Sequence, residues 1–446
     1  MLTNVQPNTA KEYFSVSEVA DILSVSKETL RRWDVSGKLK PQRHPMNNYR
    51  VYHVSQLQQF EEANLMLNTL WDEEYATTPT RPYNSIELFA GGGGLAVGLE
   101  KAGFQELLLN EWDKDACKTL RANRPNWNVV EGDVAKVDFT PYKGKIDFLS
   151  GGFPCQAFSY AGKKLGFGDT RGTLFHQFAR AIAETQPKVF LGENVRGLLA
   201  HDKGKTLQTI TKVLGDLGYD IIPPKVLKAV FYMVPQKRER LFIVGIRKDL
   251  GMADAWKWPQ PFKRIMTMRD GLKKGILYNC DCPASAGQQY PEKKRKVMAM
   301  VPPGGYWRDL PEDVQKDYMK ASYYMEGGRT GMARRLSWDE PSLTLTCAPA
   351  QKQTERCHPE ETRPLTVREY ARIQTFPDEW KFEGSLSSQY KQIGNAVPVN
   401  LAYAMGRALV RLLNEIERSH PSETIGEKEL RKLARMSNHE LPLEFT

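Results

Sequence analysis

Cysteine is scarce in this chain and thinly spread. Six residues in 446, with none of the close spacing that staples a small secreted domain, exclude a disulfide scaffold and predict free thiols in a reducing compartment. Cys280-x-Cys282, Cys347 and Cys357-His358 are spaced wrongly for the usual zinc knuckles, so no metal is expected. No apolar run is long enough to cross a bilayer and Met1 to Tyr13 holds no apolar core, which predicts a soluble, cytoplasmic protein without membrane partners. Positive charge is plentiful instead: 63 Lys and Arg against 53 Asp and Glu leave a net +10. That excess points to a polyanion, although a basic solvated surface accounts for it equally well. The length leaves room for two or three domains.

The stretch Ser150-Gly151-Gly152-Phe153-Pro154-Cys155-Gln156-Ala157-Phe158-Ser159 organises the rest. Ile146-Asp147-Phe148-Leu149 alternates as a strand does and runs into two glycines, so the chain turns at a strand's carboxyl end and presents Pro154-Cys155 in a loop. Open α/β sheets place their ligands at that end. A lone Cys is otherwise a small buried hydrophobe. The case for a nucleophile rests on its company.

Ser15-Val16-Ser17-Glu18 is a capping box before Val19, Ile22 and Leu23, and Ser24-Val25-Ser26 ends that helix and caps another carrying Lys27, Arg31 and Arg32. Two short helices with cations on the second describe a helix-turn-helix, and Asn47 to Tyr52 reads as a turn and strand, hence a wing. From Lys27 to Arg50 seven cations face two anions, a balance suited to phosphates. A small helical domain docking on the enzyme or on a protein partner remains the other reading. Phe60 to Tyr75 is expected as one acidic helix, followed by a linker at Thr77 to Pro82.

Next, Ile86 and Leu88 alternate into Phe89-Ala90-Gly91-Gly92-Gly93-Gly94, after which Leu95, Leu99 and Ala102 fall at helical spacing. A glycine turn between strand and helix lets a ligand approach the backbone. Leu107-Leu108-Leu109 ends at Glu111-Trp112-Asp113 and Val129-Val130 at Asp133-Val134. Glu111 can bond ribose hydroxyls, Trp112 can stack on an adenine and Asp133 can accept from its exocyclic amine, so three strand ends converge on an adenosine-like ligand. Val189-Phe190-Leu191 runs to Glu193-Asn194-Val195. Gly162 to Gly172, with Lys163 and Lys164, is either a loop closing on a phosphate backbone or a solvated surface loop. Gln236-Lys237-Arg238-Glu239-Arg240 opens the strand Leu241 to Val244, and strand alternation predicts that Arg238 and Arg240 point the same way.

Taken in order, Phe89-Ala90-Gly91-x-Gly93-Gly94, Pro154-Cys155-Gln156, Glu193-Asn194-Val195, Gln236-x-Arg238-x-Arg240, Arg363 to Glu369 and Gly394-Asn395-Ala396-Val397 resemble the DNA cytosine-5 methyltransferase family from about Ser85 to Leu413. Phe14 to Ala20 and Leu30-Arg31-Arg32-Trp33 resemble the winged helix-turn-helix of the MerR and excisionase group. The resemblance implies an α/β fold: a Rossmann-like S-adenosylmethionine-dependent methyltransferase sheet with an inserted target recognition domain and an N-terminal winged helix-turn-helix. Its parts would be 1–78 for the helix-turn-helix and following helix, 83–246 and 361–418 for the catalytic domain, 247–360 for target recognition and 419–446 for a tail. It implies Cys155, Glu193, Arg238 and Arg240 as catalytic residues. It implies Phe89, Ala90, Gly91, Gly93, Gly94, Glu111, Trp112, Asp133, Val134, Pro154, Asn395 and Ala396 around S-adenosylmethionine, with the helix Leu401 to Leu413 docked on the first strand and helix.

Between Arg247 and Arg356 twenty cations face thirteen anions, where the family holds its variable region. Arg329, Arg334 and Arg335 are candidates for guanine edges or phosphates there, beside Lys27, Arg31, Arg32, Lys163 and Lys164 elsewhere. The implied partners are double-stranded DNA and a cognate restriction endonuclease, with a monomer in catalysis in a bacterial or phage-infected cell. A tRNA-methylating relative, which lacks a large recognition insertion, and a promoter-binding role for the front domain are the competing readings.

Overall fold

A computed structural model describes residues 11–153, 174–325 and 327–421, with residues 429 and 433. Cys155, Pro154, Lys163 and Lys164 lie outside the described residues, as does most of the tail.

The front of the chain folds as its caps dictate. β1 (Tyr13–Ser15) leads into α1 (Val16–Ile22), where the Ser15 and Glu18 side chains and backbone amides bond reciprocally, and Ser26 caps α2 (Lys27–Val35). β2 (Gln42–Arg43) and β3 (Arg50–His53) complete a three-stranded antiparallel sheet in the order β1-β3-β2, the expected wing. The expected single helix at Phe60 to Tyr75 is two, Glu61–Leu67 and Trp71–Ala76. Asn68 ends the first, its side chain bonding back to Asn64, as short polar side chains do in competition with the helix. The Thr69 hydroxyl donates to the Pro261 carbonyl at that break.

The catalytic body is a mostly parallel sheet. β4 (Tyr83–Leu88) has β5 (Phe104–Glu111) and then β6 (Val129–Glu131) on one side, and β7 (Phe148–Gly151) and then β8 (Val189–Val195) on the other, all parallel. Antiparallel β12 (Glu239–Arg247) follows β8, with β9 (Tyr219–Ile221) and β10 (Lys225–Lys228) on its far edge. Every residue of β4 and β7 is buried, as expected of strands covered on both faces. The chain leaves β4 towards β5 and returns to β7 on β4's opposite side. The strand order therefore reverses between β4 and β7, which places the ligand crevice at their carboxyl ends.

The helix Val399–Ser419, from the end of the chain, lies against the helix Gly94–Ala102, as the resemblance implied. A Cβ on Gly98 would meet the Ala402 Cβ at 2.4 Å and the Val399 carbonyl oxygen at 2.6 Å. Gly98→Val is therefore expected to destabilise by about 3 kcal/mol or more through overpacking against backbone, read as a lowered denaturant midpoint.

Two carboxylates interrupt the sheet's apolar interior. Glu87 on β4 and Glu106 on β5 are both buried, and burial drives both upward in pKa. The Glu106 carboxyl is pushed up to about 8 by burial, with Ser85 opposing and Glu100 adding to the rise. The folded protein thus keeps a proton that the unfolded chain releases at its ordinary acid value, so stability falls as pH rises from that value through about 8. Glu106→Gln is expected to leave the melting temperature near wild type at pH 5 and to raise it by several degrees at pH 9, a contrast that thermal unfolding at the two pH values measures.

Candidate active site

Strain marks the end of β4. Phe89 has φ 60°, a left-handed conformation rare outside glycine, and the turn continues through Gly91 at φ 55° and Gly93 at φ 88° into the helix Gly94–Ala102. Gly91 faces open space, since an added Cβ would meet no atom within 4 Å. Its amide donates to Glu111 Oε2 at 2.7 Å, while Glu111 Oε1 accepts from the Asp113 amide at 2.8 Å. Glu111 thus joins the ends of β4 and β5 into one rim.

The opposite rim holds a compact ion pair. β8 and β12 run antiparallel with Arg240 opposite Val195 and Phe242 opposite Glu193, and Arg240 Nε meets Glu193 Oε1 at 2.6 Å. Burial raises the Glu193 carboxyl's pKa; Arg240 and then Arg238 oppose it without cancelling it. Gly152 leaves room for that carboxylate, since a Cβ there would stand 2.9 Å from Glu193 Oε2. Asn194 Nδ2 donates to the Phe153 carbonyl at 2.7 Å, tying β8 to the residue two places before Cys155.

Both rims enclose one cavity of about 530 Å³. Phe89, Ala90, Gly91, Gly94 and Glu111 line it on one side, Glu193 and Arg240 on another, and Asn395 and Ala396 arrive from the far end of the chain. A Lys391–Asp113 ion pair at 2.9 Å spans its wall. Among residues not anticipated from sequence, Glu87 lines it too, with Oε2 buried and unpartnered. The signal was a carboxylate between Ile86 and Leu88 on a strand that is otherwise apolar at its end. The cavity's acidic wall and Glu87's orphaned oxygen fit a ligand that carries positive charge, and the open face of Gly91 fits one that approaches the backbone.

Several expectations are corrected. Arg238 and Arg240 line one cavity beside the helix-turn-helix and both oppose the rise of the Glu193 pKa, but the strand breaks between them: β11 (Gln236–Lys237) pairs with β13 (Ser342–Leu343), and β12 begins only at Glu239. Arg238 is buried and donates to the carbonyls of Leu345 at 3.0 Å and Gly394 at 2.7 Å. It holds the last turn of the helix Leu386–Asn395 and does not line the cavity that Glu193 and Gly91 share. Arg335 does not present a free guanidinium to a groove. It is buried, with its guanidinium bonded to the carbonyls of Val301, Met298 and His358 and to the Thr362 hydroxyl.

Val134 packs in the core as the first residue of a one-turn helix capped by Asp133, and neither lines the cavity. Gly93 is outside the wall as well, pressed between Leu120 and Trp380. Trp112 stands 71% exposed next to Glu111. Lys27, Arg31 and Arg32 are exposed on α2, Arg329 donates to the Met325 carbonyl, and Arg334 is half-buried with an unpartnered Nε.

A reversed strand order, a glycine turn, and a largely buried acid paired with arginine at neighbouring strand ends fit the methyltransferase architecture that the resemblance implied. Residues 83–411 match the C-5 cytosine-specific DNA methylase family, and this chain belongs to it. Residues 15–52 match the MerR family of regulatory proteins. The chain is 66% identical over 411 residues to the Type II methyltransferase M.Eco47II of Escherichia coli, covering 92% of this chain and 98% of that one. It is 61% identical over 402 residues to M.PspPI of a Psychrobacter strain, with 90% and 97% covered. A prophage-encoded E. coli protein described as a DNA modification methyltransferase shares the fold at a TM-score of 0.54 and 26% identity, over 74% of this chain and 99% of that one. The chain is accordingly a DNA (cytosine-5) methyltransferase. Among the described residues no helix is long and apolar enough to cross a membrane.

Proposed function

We propose that this enzyme methylates a cytosine extruded from a short sequence of double-stranded DNA, through a covalent adduct with Cys155 and with S-adenosylmethionine as donor. The carrying observation is that the Glu193–Arg240 pair and the Gly91 turn line one cavity, with Cys155 two residues beyond the anchored Phe153. Carbon 5 of cytosine is a poor nucleophile until a thiolate adds to carbon 6. Cys155 forms that sulfur–carbon bond. Glu193, which burial helps to keep protonated, donates to ring nitrogen 3 as negative charge spreads into the ring. Arg240 holds the carbonyl oxygen at position 2. S-adenosylmethionine, when bound, supplies an activated methyl group. Loss of the carbon 5 proton to water and expulsion of Cys155 then release 5-methylcytosine. Extrusion of the base costs a few kcal/mol, because carbon 5 is inaccessible within the stack.

Glu87, Gly91, Glu111 and Asn395 would hold the cofactor, Glu87 facing its positive charge. Trp112, Asp133 and Pro154 join them on the family's pattern. Residues 247–360 would read the target, with Arg329 and Arg334 as candidate contacts. The relatives' designation as Type II methyltransferases supports a place in restriction–modification beside a cognate endonuclease.

The test is base-resolution mapping of 5-methylcytosine on a mixed-sequence plasmid treated with enzyme and S-adenosylmethionine. Methylation confined to one short motif is expected. Unmodified DNA alongside methylated tRNA would overturn the proposal.

A further inference from the structure

The front domain is fixed to the enzyme at one particular place. Leu57, Ala63 and Met66 share an apolar cluster with Val230, Phe231 and Leu409, Trp71 packs edge-on to Phe262, and Glu74 pairs with Arg411 at 2.5 Å. An apolar, ion-paired junction of this kind holds two domains in one orientation, where polar interfaces leave them free. In that orientation α1 and α2 meet the segments that carry Lys237 and Glu340. Asp21, with a nearly buried side chain, pairs at 2.5 Å with Lys237, which adjoins Arg238. Lys27, at the start of α2, pairs at 2.6 Å with Glu340 from the variable region.

A second cavity of about 500 Å³ lies between the two parts. Ala20, Asp21, Ser24 and Val25 of the helix-turn-helix wall it on one side, and Val195, Arg196, Arg238 and Arg240 wall it on the other. Val195 and Arg240 also line the active-site cavity. The helix-turn-helix therefore stands beside the rim over which a target base must pass. Helix-turn-helix proteins read bases with the first residues of the second helix, and here that end is engaged by Glu340. Besides Lys27, the domain's exposed cations include Arg31, which pairs with Glu28 at 3.0 Å, and Arg32, Lys38, Lys40, Arg43 and Arg50, charges suited to phosphates rather than to base edges.

We propose that the front domain grips the flank of the same duplex that delivers the cytosine to Glu193, so that helix-turn-helix and active site form one continuous DNA-binding surface. This rests on the methylation of DNA proposed above. It extends that reading from the target site to the duplex beside it.

The test compares a short duplex carrying the mapped motif with a long one extended by about 15 base pairs, roughly one and a half helical turns, on each side. Full-length enzyme is expected to show a KM at least about tenfold lower on the long duplex, from added phosphate contacts. In Arg31→Glu/Arg32→Glu that preference should fall below about twofold. The slope of log kcat/KM against log salt on the long duplex should shrink by about two, one for each lost contact. Arg43→Glu/Arg50→Glu serves as the second variant should the first fail to fold.

A length preference retained in the folded variants would overturn the proposal. So would wild-type enzyme that holds the target duplex and takes up a second duplex, such as its own promoter, through Arg31 and Arg32. Absence of methylation on both duplexes by wild type would count against the proposed reaction instead.

Discussion

Cys155→Ala is expected to lower methylation by about four orders of magnitude or more, with binding of S-adenosylmethionine retained. Alanine cannot form the sulfur–carbon bond, and without that adduct carbon 5 keeps its low nucleophilicity. The residues proposed to hold the cofactor, Glu87, Gly91, Glu111 and Asn395, lie on other segments of the cavity wall, so binding should survive. Two measurements check this: methyl incorporation in a single turnover, and cofactor binding by calorimetry. A denaturing gel adds a third. On DNA whose target carbon 5 carries fluorine, which cannot leave as a proton, wild type should stay attached and the alanine variant should not. Turnover near the wild-type rate would end the nucleophilic mechanism.

Glu193→Gln is expected to slow the chemical step by about 100-fold or more, the usual worth of a positioned general acid. Glutamine keeps the shape and can still bond the base edge, but it has no proton to give as charge develops on ring nitrogen 3. The pH dependence separates this from a packing effect. Burial raises the Glu193 carboxyl's pKa above the ordinary glutamate range, so the free enzyme holds its proton at low pH and loses it as pH climbs through the raised value. Wild-type kcat/KM should therefore decline on that alkaline limb, and the glutamine variant should lack the limb. Arg240 is buried and pairs with Glu193 at 2.6 Å, so the substitution also strands a cation. Some loss of stability is expected, and the rate is to be read below the variant's melting temperature. An unchanged single-turnover rate would remove Glu193 from the role of acid.

Much of the site was legible because local chemistry wrote it. A glycine run between an alternating strand and a helical pattern marks a turn that only small residues can make, and Gly91 and Gly94 line the cavity from such a turn. The Ser15 and Glu18 box, too, foretold where α1 begins. The errors share one cause. Arg335, Arg238 and Val134 were placed by residue type or by position in a pattern, and the sequence carries no mark of what surrounds a side chain. An arginine in a basic segment looks exposed until carbonyls from 298, 301 and 358 close around it. Arg238 and Arg240 line one cavity, as strand alternation predicted, but the strand is not continuous, since β13, a hundred residues away in sequence, pairs with the segment before Arg238.

The sequence by itself determined the order of the motifs and, through their resemblance to a known family, the chemical class of the reaction; the elements that carry them follow from periodicity, capping and turn chemistry over a few residues at a time. The tertiary structure alone decided which of those residues share a cavity. It brought Asn395 to the glycine turn, set Glu87's orphaned carboxylate in the cavity wall, and fixed the helix-turn-helix beside Arg240 through Asp21–Lys237 and Lys27–Glu340. Contacts between residues hundreds of positions apart are chosen by packing and desolvation over the whole molecule, which no local window contains.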